Sequence, residues 1–223
     1  MTQKTISDDV QGNELFPEYA TLYDLIAREV EGLTDAQLDF TSDNWTWAEW
    51  NIRRQLSHMA NVIYGWLLVR WGNILFPQDH DSEGKRKGWT TADLDPRLDE
   101  TQDWEVSVIL HQLRDAMTLA HQVLADHTVG FLRRHTYLRV FPAHWHLMIQ
   151  AHPSGVTLAE EPDKLVMTLE ATFRHMYFEE LTHLYNIQRL KRAQGLPTVV
   201  AIPRVRYWVL EGWDRSEASG STS

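Results

Sequence analysis

The run from Asp163 to Gln194 restricts the fold of this chain more than any other stretch. Apolar residues recur along it at three- and four-residue spacing, the period of an α-helix with one buried stripe. Asp163 can cap its start. Lys191 and Arg192 fall in the last turn, Gly195 takes the position just past the end, and Pro197 forbids continuation. On such a helix Leu165, Leu169, Thr172, Met176, His183, Ile187 and Leu190 share an inward seam, and Glu179 joins it one turn before His183. A carboxylate on a core stripe is costly unless it is paired, hydrogen-bonded or bound to a cation.

Three further long helices are expected. The first runs from about Leu15 to Gly32, and a Thr34/Gln37 capping box follows it. The second starts at Thr46 (with Glu49 as a capping box) or at Asn51, and Pro77 stops it after Phe76. The third starts near Thr101 or Gln102 and covers at least Trp104 to His127. An amphipathic segment follows from Phe131 to Phe141, then a shorter helix and a turn within 142–160. Residues 78–100 read as a long polar surface loop of the length that often serves a site. No run of alternating strands stands out. The expectation is an all-α, four-helix bundle with crossover connections, one domain whose core spans about 15–195. Residues 196–223 form an extension that packs back through its apolar segments and ends in SEASGSTS without fixed structure.

Charge and residue usage narrow the function. A net charge of −10 argues against nucleic acid or an anionic membrane as partner. The absence of cysteine excludes disulfides, thiolate ligands and a catalytic Cys. The stretch NVIYGWLLVRWGNILF is broken by Arg70 and Asn73 and is too short to span a bilayer. No apolar signal segment stands at the start, so cytoplasm is the expected location.

Glu179 and His183, at i and i+4, can chelate one cation, and a stable site needs a third protein ligand. His58, on the second helix beside Val62 and Trp66, is the candidate. Two imidazoles and one carboxylate with open positions suit Zn²⁺, Fe²⁺, Ni²⁺ or Mn²⁺. His175 is a weaker ligand candidate, because its direction lies about 80° from that of His183, towards the polar side. Glu180 faces about 100° away from the seam and is a poor base there. His144 and His146, at i and i+2, would suit only a strand or loop site. His111, His121, His127 and His135 show no chelating spacing. Trp45, Trp47 and Trp50 read as helix-start packing and Lys85-Arg86-Lys87 as a solvated loop. Arg133, Arg134 and Arg189 read as surface salt bridges or anion holders.

These residues resemble the DinB/YfiT-like family. That family has a tryptophan eight residues before a histidine on its second helix, as Trp50 stands before His58, with Asn51 at the capping position and Leu56 between. Its later motif is H-x3-H-x-G-Q-I, ahead of a basic stretch and glycine. Here the chain reads E179-E-L-T-H183-L-Y-N-I187-Q-R-L190-K-R-A-Q-G195, with Glu179 in place of the first histidine and Tyr185 in place of the glycine. The resemblance implies a four-helix bundle, one divalent metal ion at one end and a homodimer. It further implies a metal-dependent transferase or isomerase that joins a low-molecular-weight thiol to a small-molecule substrate. Tyr185, Asn186 and Trp50 would then adjoin metal or substrate. Glu179 in the histidine position supports a second reading, a non-catalytic binding or dimerisation module with a structural or lost metal site. A metal-dependent hydrolase ranks third.

Overall fold

The computed structural model describes residues 6–78, 97–141, 145–161, 163–205 and 207–218. Among these the chain is mostly helical with one small three-stranded sheet. The long helices are α1 (Tyr19–Val30), α2 (Ile52–Tyr64), α3 (Val106–Asp126) and α4 (Leu169–Ala193). Several boundaries follow the local chemistry of the sequence. Asn51 caps α2, its Oδ1 accepting the Arg54 N–H at 2.9 Å. Thr46 opens only a 3₁₀ turn, Thr46–Ala48, with no side-chain cap. The Thr34/Gln37 capping box is complete. Helix α4 ends in a Schellman motif: Gly195 takes φ 73°, its N–H donates to Arg192 O, and Leu196 N–H donates to Lys191 O.

Other expectations are corrected. The all-helical reading fails between 136 and 168, where the chain forms strands β1 (Thr136–Val140), β2 (Val156–Leu158) and β3 (Lys164–Thr168). The segment from Phe131 to Phe141 is therefore not one helix. A short helix, Val129–Arg134, capped by Thr128, precedes β1. Asp163 does not cap α4. It sits at φ 57° ahead of β3, and Thr168 is the cap instead, its Oγ1 accepting the Ala171 N–H at 3.1 Å. Leu165 thus belongs to a strand. Helix α3 begins at Val106 rather than near Thr101. The second helix is α-helical only to Tyr64 and continues as a π-helix, Gly65–Arg70, in which the Trp71 N–H donates to Trp66 O. Most of the expected 78–100 loop, Lys85-Arg86-Lys87 included, lies outside the described residues, as do His144 and the last residues of the tail.

The described residues divide into two compact units; α1 and α2 fall almost wholly in the second range, whereas α3 and α4 have long parts in both. The first unit takes those within Met1–Ala20, Ile63–Leu94 and Thr118–Tyr177. Its sheet is antiparallel in the order β1-β3-β2, with Leu138 and Thr157 both opposite Val166. Alternation buries Leu165 and Met167 and leaves Leu138 and Val140 exposed. Gly155, at φ 79°, turns the chain into β2 where any Cβ would collide with the Thr168 hydroxyl. Phe16, Tyr19, Phe173 and Tyr177 pack as an aromatic cluster, and the Tyr19 hydroxyl donates to Phe173 O at 2.8 Å.

The second unit takes the described residues within Thr21–Val62, Asp95–Met117 and Phe178–Ser223. Leu22, Ile26, Leu38, Ile52, Leu56, Met59, Ile109, Leu113, Leu181 and Ile187 make its core. Buried Arg53 ties three segments together by donating to Asp35, to Asp39 and to Trp104 O. The tail does pack back, as expected. Arg189 donates to Asp214 O and Ser216 O, and Glu217 pairs with Arg192, so the first residues of SEASGSTS are held against α4.

Candidate metal centre

Helix α2 presents His58 and the second half of α4 presents Glu179 and His183. One ligand atom from each lies within 4.8 Å of the other two. The three could hold a metal ion. Bonds of about 2.0–2.2 Å to a tetrahedral cation put its ligands roughly 3.3–3.6 Å apart. His183 Nε2 and Glu179 Oε2, 3.5 Å apart, already have that separation.

The surroundings hold the rings in place. His58 and His183 lie with ring centroids 4.5 Å apart, and the Trp50 indole meets His58 edge-on and stacks parallel on His183. His183 Nδ1–H donates to Gln55 Oε1 at 2.5 Å. The Gln55 amide nitrogen donates in turn to Trp50 O, which fixes the end of the amide that faces the ring. Because Oε1 only accepts, the proton of a neutral His183 sits on Nδ1 and Nε2 carries a bare lone pair. That lone pair faces a carboxylate oxygen. Two acceptors in contact are a poor arrangement unless a cation or proton lies between them. The Arg97 guanidinium lies 5.5 Å from the Trp50 ring centroid and pairs with Glu100, which also takes Arg54.

Helix α4 is buried on nearly every side, unlike a helix with one inward seam. Glu179 and His183 occupy its less buried stripe, with 17% and 12% of their side chains exposed, which leaves the centre open to a ligand from solvent. His175 is not a member. It is more buried than His183, contrary to its expected polar direction, and packs in the first unit against Trp66 and Trp145. Tyr185 stacks on Trp208 and donates to Glu217, while Asn186 Oδ1 accepts from Arg189, so both contact the tail and its anchor. Trp50 alone of the three expected neighbours packs on the ligand rings. Glu180 lies about 100° round the helix from Glu179, yet not towards solvent: it is wholly buried, with no hydrogen bond to either carboxyl oxygen among the described residues. Burial first, and the Glu179 charge second, hold its pKa well above the ordinary 4.5.

The remaining expectations fall outside the centre. His111 pairs with Asp115 and His121 is exposed. His127 and His135 pack on Phe131, and His146 packs on Phe141. Arg133 forms ion pairs with Asp8 and Glu170, and Trp47 stacks between Trp45 and Arg189. Gln55 is the residue the sequence reading missed. Its position three residues before His58, on the same helix face, was the available signal. Compared with family models, with curated proteins and with solved structures, the chain matches none.

The Gln55 bond carries a prediction. Replacing Gln55 with Leu frees the His183 ring, and divalent-ion affinity is expected to drop about 10–100-fold. Gln55→Glu, which still accepts from Nδ1, keeps the ring in place and the affinity high. Competition against a chelating dye measures both, and equal affinity in wild type and Gln55→Leu would dismiss the role.

Proposed function

We propose that this chain is a divalent-metal-dependent enzyme of the DinB-like kind, in which His58, Glu179 and His183 hold one cation and a small molecule receives or exchanges a low-molecular-weight thiol. The observation that carries the reading is the convergence of the three ligand atoms within 4.8 Å, with His183 already turned so that Nε2 points at Glu179. The family resemblance, the four long helices among the described residues and the partly exposed site are consistent with it. A homodimer belongs to the same reading.

Two neutral imidazoles and one carboxylate leave a bound divalent ion with net positive charge and open positions. Such an ion, whether Zn²⁺, Ni²⁺, Fe²⁺ or Mn²⁺, supplies Lewis acidity and lowers the pKa of a thiol or water beside it. The chain's own residues do the positioning. Gln55 fixes the His183 tautomer, and Trp50 walls the side of both rings and keeps water from it. A chain without cysteine leaves the thiol to a cosubstrate. Glu180, wholly buried and about 100° round the helix from Glu179, is poorly placed to act as a base, which disfavours a hydrolase.

Elemental analysis of untagged protein tests the centre, repeated for His58→Ala and His183→Ala. About one divalent ion per chain, absent from both variants, is the expected result. No ion even after incubation with Zn²⁺, Mn²⁺ or Ni²⁺ would sink the metalloenzyme and leave a binding or dimerisation module. A metal-loaded protein that consumes no thiol with any electrophile would retain the metal and lose the transferase.

A further inference from the structure

In the second unit, residues 214–217 lie against α4 and reach the 3₁₀ turn Thr46–Ala48. The Glu217 carboxylate sits in a fork. Arg192 Nε and Nη2 donate to its two oxygens at 2.8 and 2.7 Å, and the Tyr185 hydroxyl donates to one of them at 3.0 Å. Arg189 Nη1 donates to both Asp214 O and Ser216 O at 3.1 Å. The Trp47 indole N–H donates to Ser216 Oγ at 3.1 Å, and the Arg189 guanidinium lies over the same indole, 4.6 Å from its centroid. Trp47 is thus gripped by the segment itself and by the arginine that anchors it.

The seat and the segment differ in permanence. Trp47, Tyr185 and Arg189 are buried, whereas Ser216 and Glu217 are exposed, and the paired side chains of Glu217 and Arg192 are 42% and 35% exposed. An ion pair so open to water adds little stability, so release of the segment costs far less than unfolding. Trp47 stands three residues before Trp50. Trp50 stacks on His183 and meets His58 edge-on, and its carbonyl accepts from the Gln55 amide that orients the His183 ring. One short turn therefore connects the indole that the segment grips to the indole that walls the ligand rings.

We propose that residues 214–217 are a releasable strap that regulates the metal centre. Seated, they hold Trp47 and through it keep Trp50 against His58 and His183. Released, they let the Trp50 wall withdraw and the ion exchange. The proposal rests on the metal reading above and adds control of that centre by the segment after α4. Ser216 and Glu217 are positioning residues, acting through Trp47. Added salt weakens the exposed fork and favours release.

The test uses the full chain and Zn²⁺ alone. Exchange of the Trp47 indole N–H with solvent, followed by NMR and assigned with Trp47→Phe, reports the seated strap, and competition against a chelating dye reports the ion. Glu217→Ala should speed that exchange about fivefold, as expected for loss of an exposed fork. It should also weaken Zn²⁺ binding about threefold to tenfold, as expected for loss of an aromatic stack. Arg192→Ala should do the same and the double variant no more, because the two side chains act as one latch. Glu161→Ala, which breaks a surface ion pair of the first unit, should change neither readout. Unchanged Trp47 exchange in Glu217→Ala overturns the proposal, as does faster exchange with Zn²⁺ affinity equal to wild type, and in both cases the metal reading stands. A wild-type chain that binds no Zn²⁺ overturns both, so wild-type affinity tells the two failures apart.

Discussion

Glu29→Ala is expected to lower the unfolding free energy by about 3–5 kcal/mol, because it breaks a buried ion pair and strands the partner. The Glu29 side chain is fully buried and that of Lys191 is 3% exposed. Lys191 Nζ donates at 2.6 Å both to Glu29 Oε1 and to the Glu29 carbonyl. Gln188 and the N–H groups of Val199 and Val200 complete the shell of the carboxylate. The pair thus pins the segment after α4 to α1, and alanine would leave the ammonium buried with only the residue-29 carbonyl, Gln188 Nε2 with only Val200 O, and the Val199 and Val200 N–H groups without their acceptor. Glu29→Leu with Lys191→Met removes both charges and should recover much of the loss. Burial alone would raise the Glu29 pKa, but the bonds from Lys191, Gln188, Val200 and Val199 outweigh it and hold the pKa below the ordinary 4.5. The folded state therefore binds fewer protons than the unfolded state in acid. The stabilisation is present above about pH 4.5 and is lost as pH falls through the lower, folded pKa. Urea unfolding of wild type and Glu29→Gln should show a gap at pH 7 that closes in acid. A gap that does not change with pH would refute the assignment.

The parts of this molecule legible in its sequence are those where one local pattern has one outcome. Asn51, the Thr34/Gln37 box and the Gly195 ending are such places, since each satisfies orphan groups at a helix end. The His183/Glu179 pair was legible for a similar reason, because i and i+4 must meet on any helix. The strands were not. TYLRV and KLVMT are short apolar runs that fit helix or strand, and no Gly or Pro separates β3 from α4. Pairing of β1 with β3 decides the matter, and that contact is remote in sequence. Gln55 was missed because a glutamine on an amphipathic helix is ordinarily a surface residue, and only the position of α4 makes it the partner of His183. Glu180 and His175 were misjudged by one assumption, that α4 has a polar side. Both the carboxyl of Glu180 and the ring of His175 are buried, since the helix is enclosed on almost all sides.

That enclosure leads to the second large effect. Glu180→Met is expected to stabilise the protein by about 1–3 kcal/mol, the usual penalty for a buried polar group left without a partner. Methionine has a similar length and an adaptable thioether, so the pocket around the side chain stays filled while the carboxyl disappears. Burial and then the Glu179 charge disfavour the Glu180 anion and raise its pKa well above the ordinary 4.5, so the substitution removes a group whose charged form the site resists. Glu180→Gln is the control, since an amide of the same shape still lacks partners and should gain little. Thermal and urea unfolding supply the stability, and elemental analysis of the same samples supplies the metal content. Higher stability with unchanged metal identifies Glu180 as a structural burden beside the centre. Lower stability, or loss of the ion with the fold intact, would show that its carboxyl works on the centre from behind Glu179.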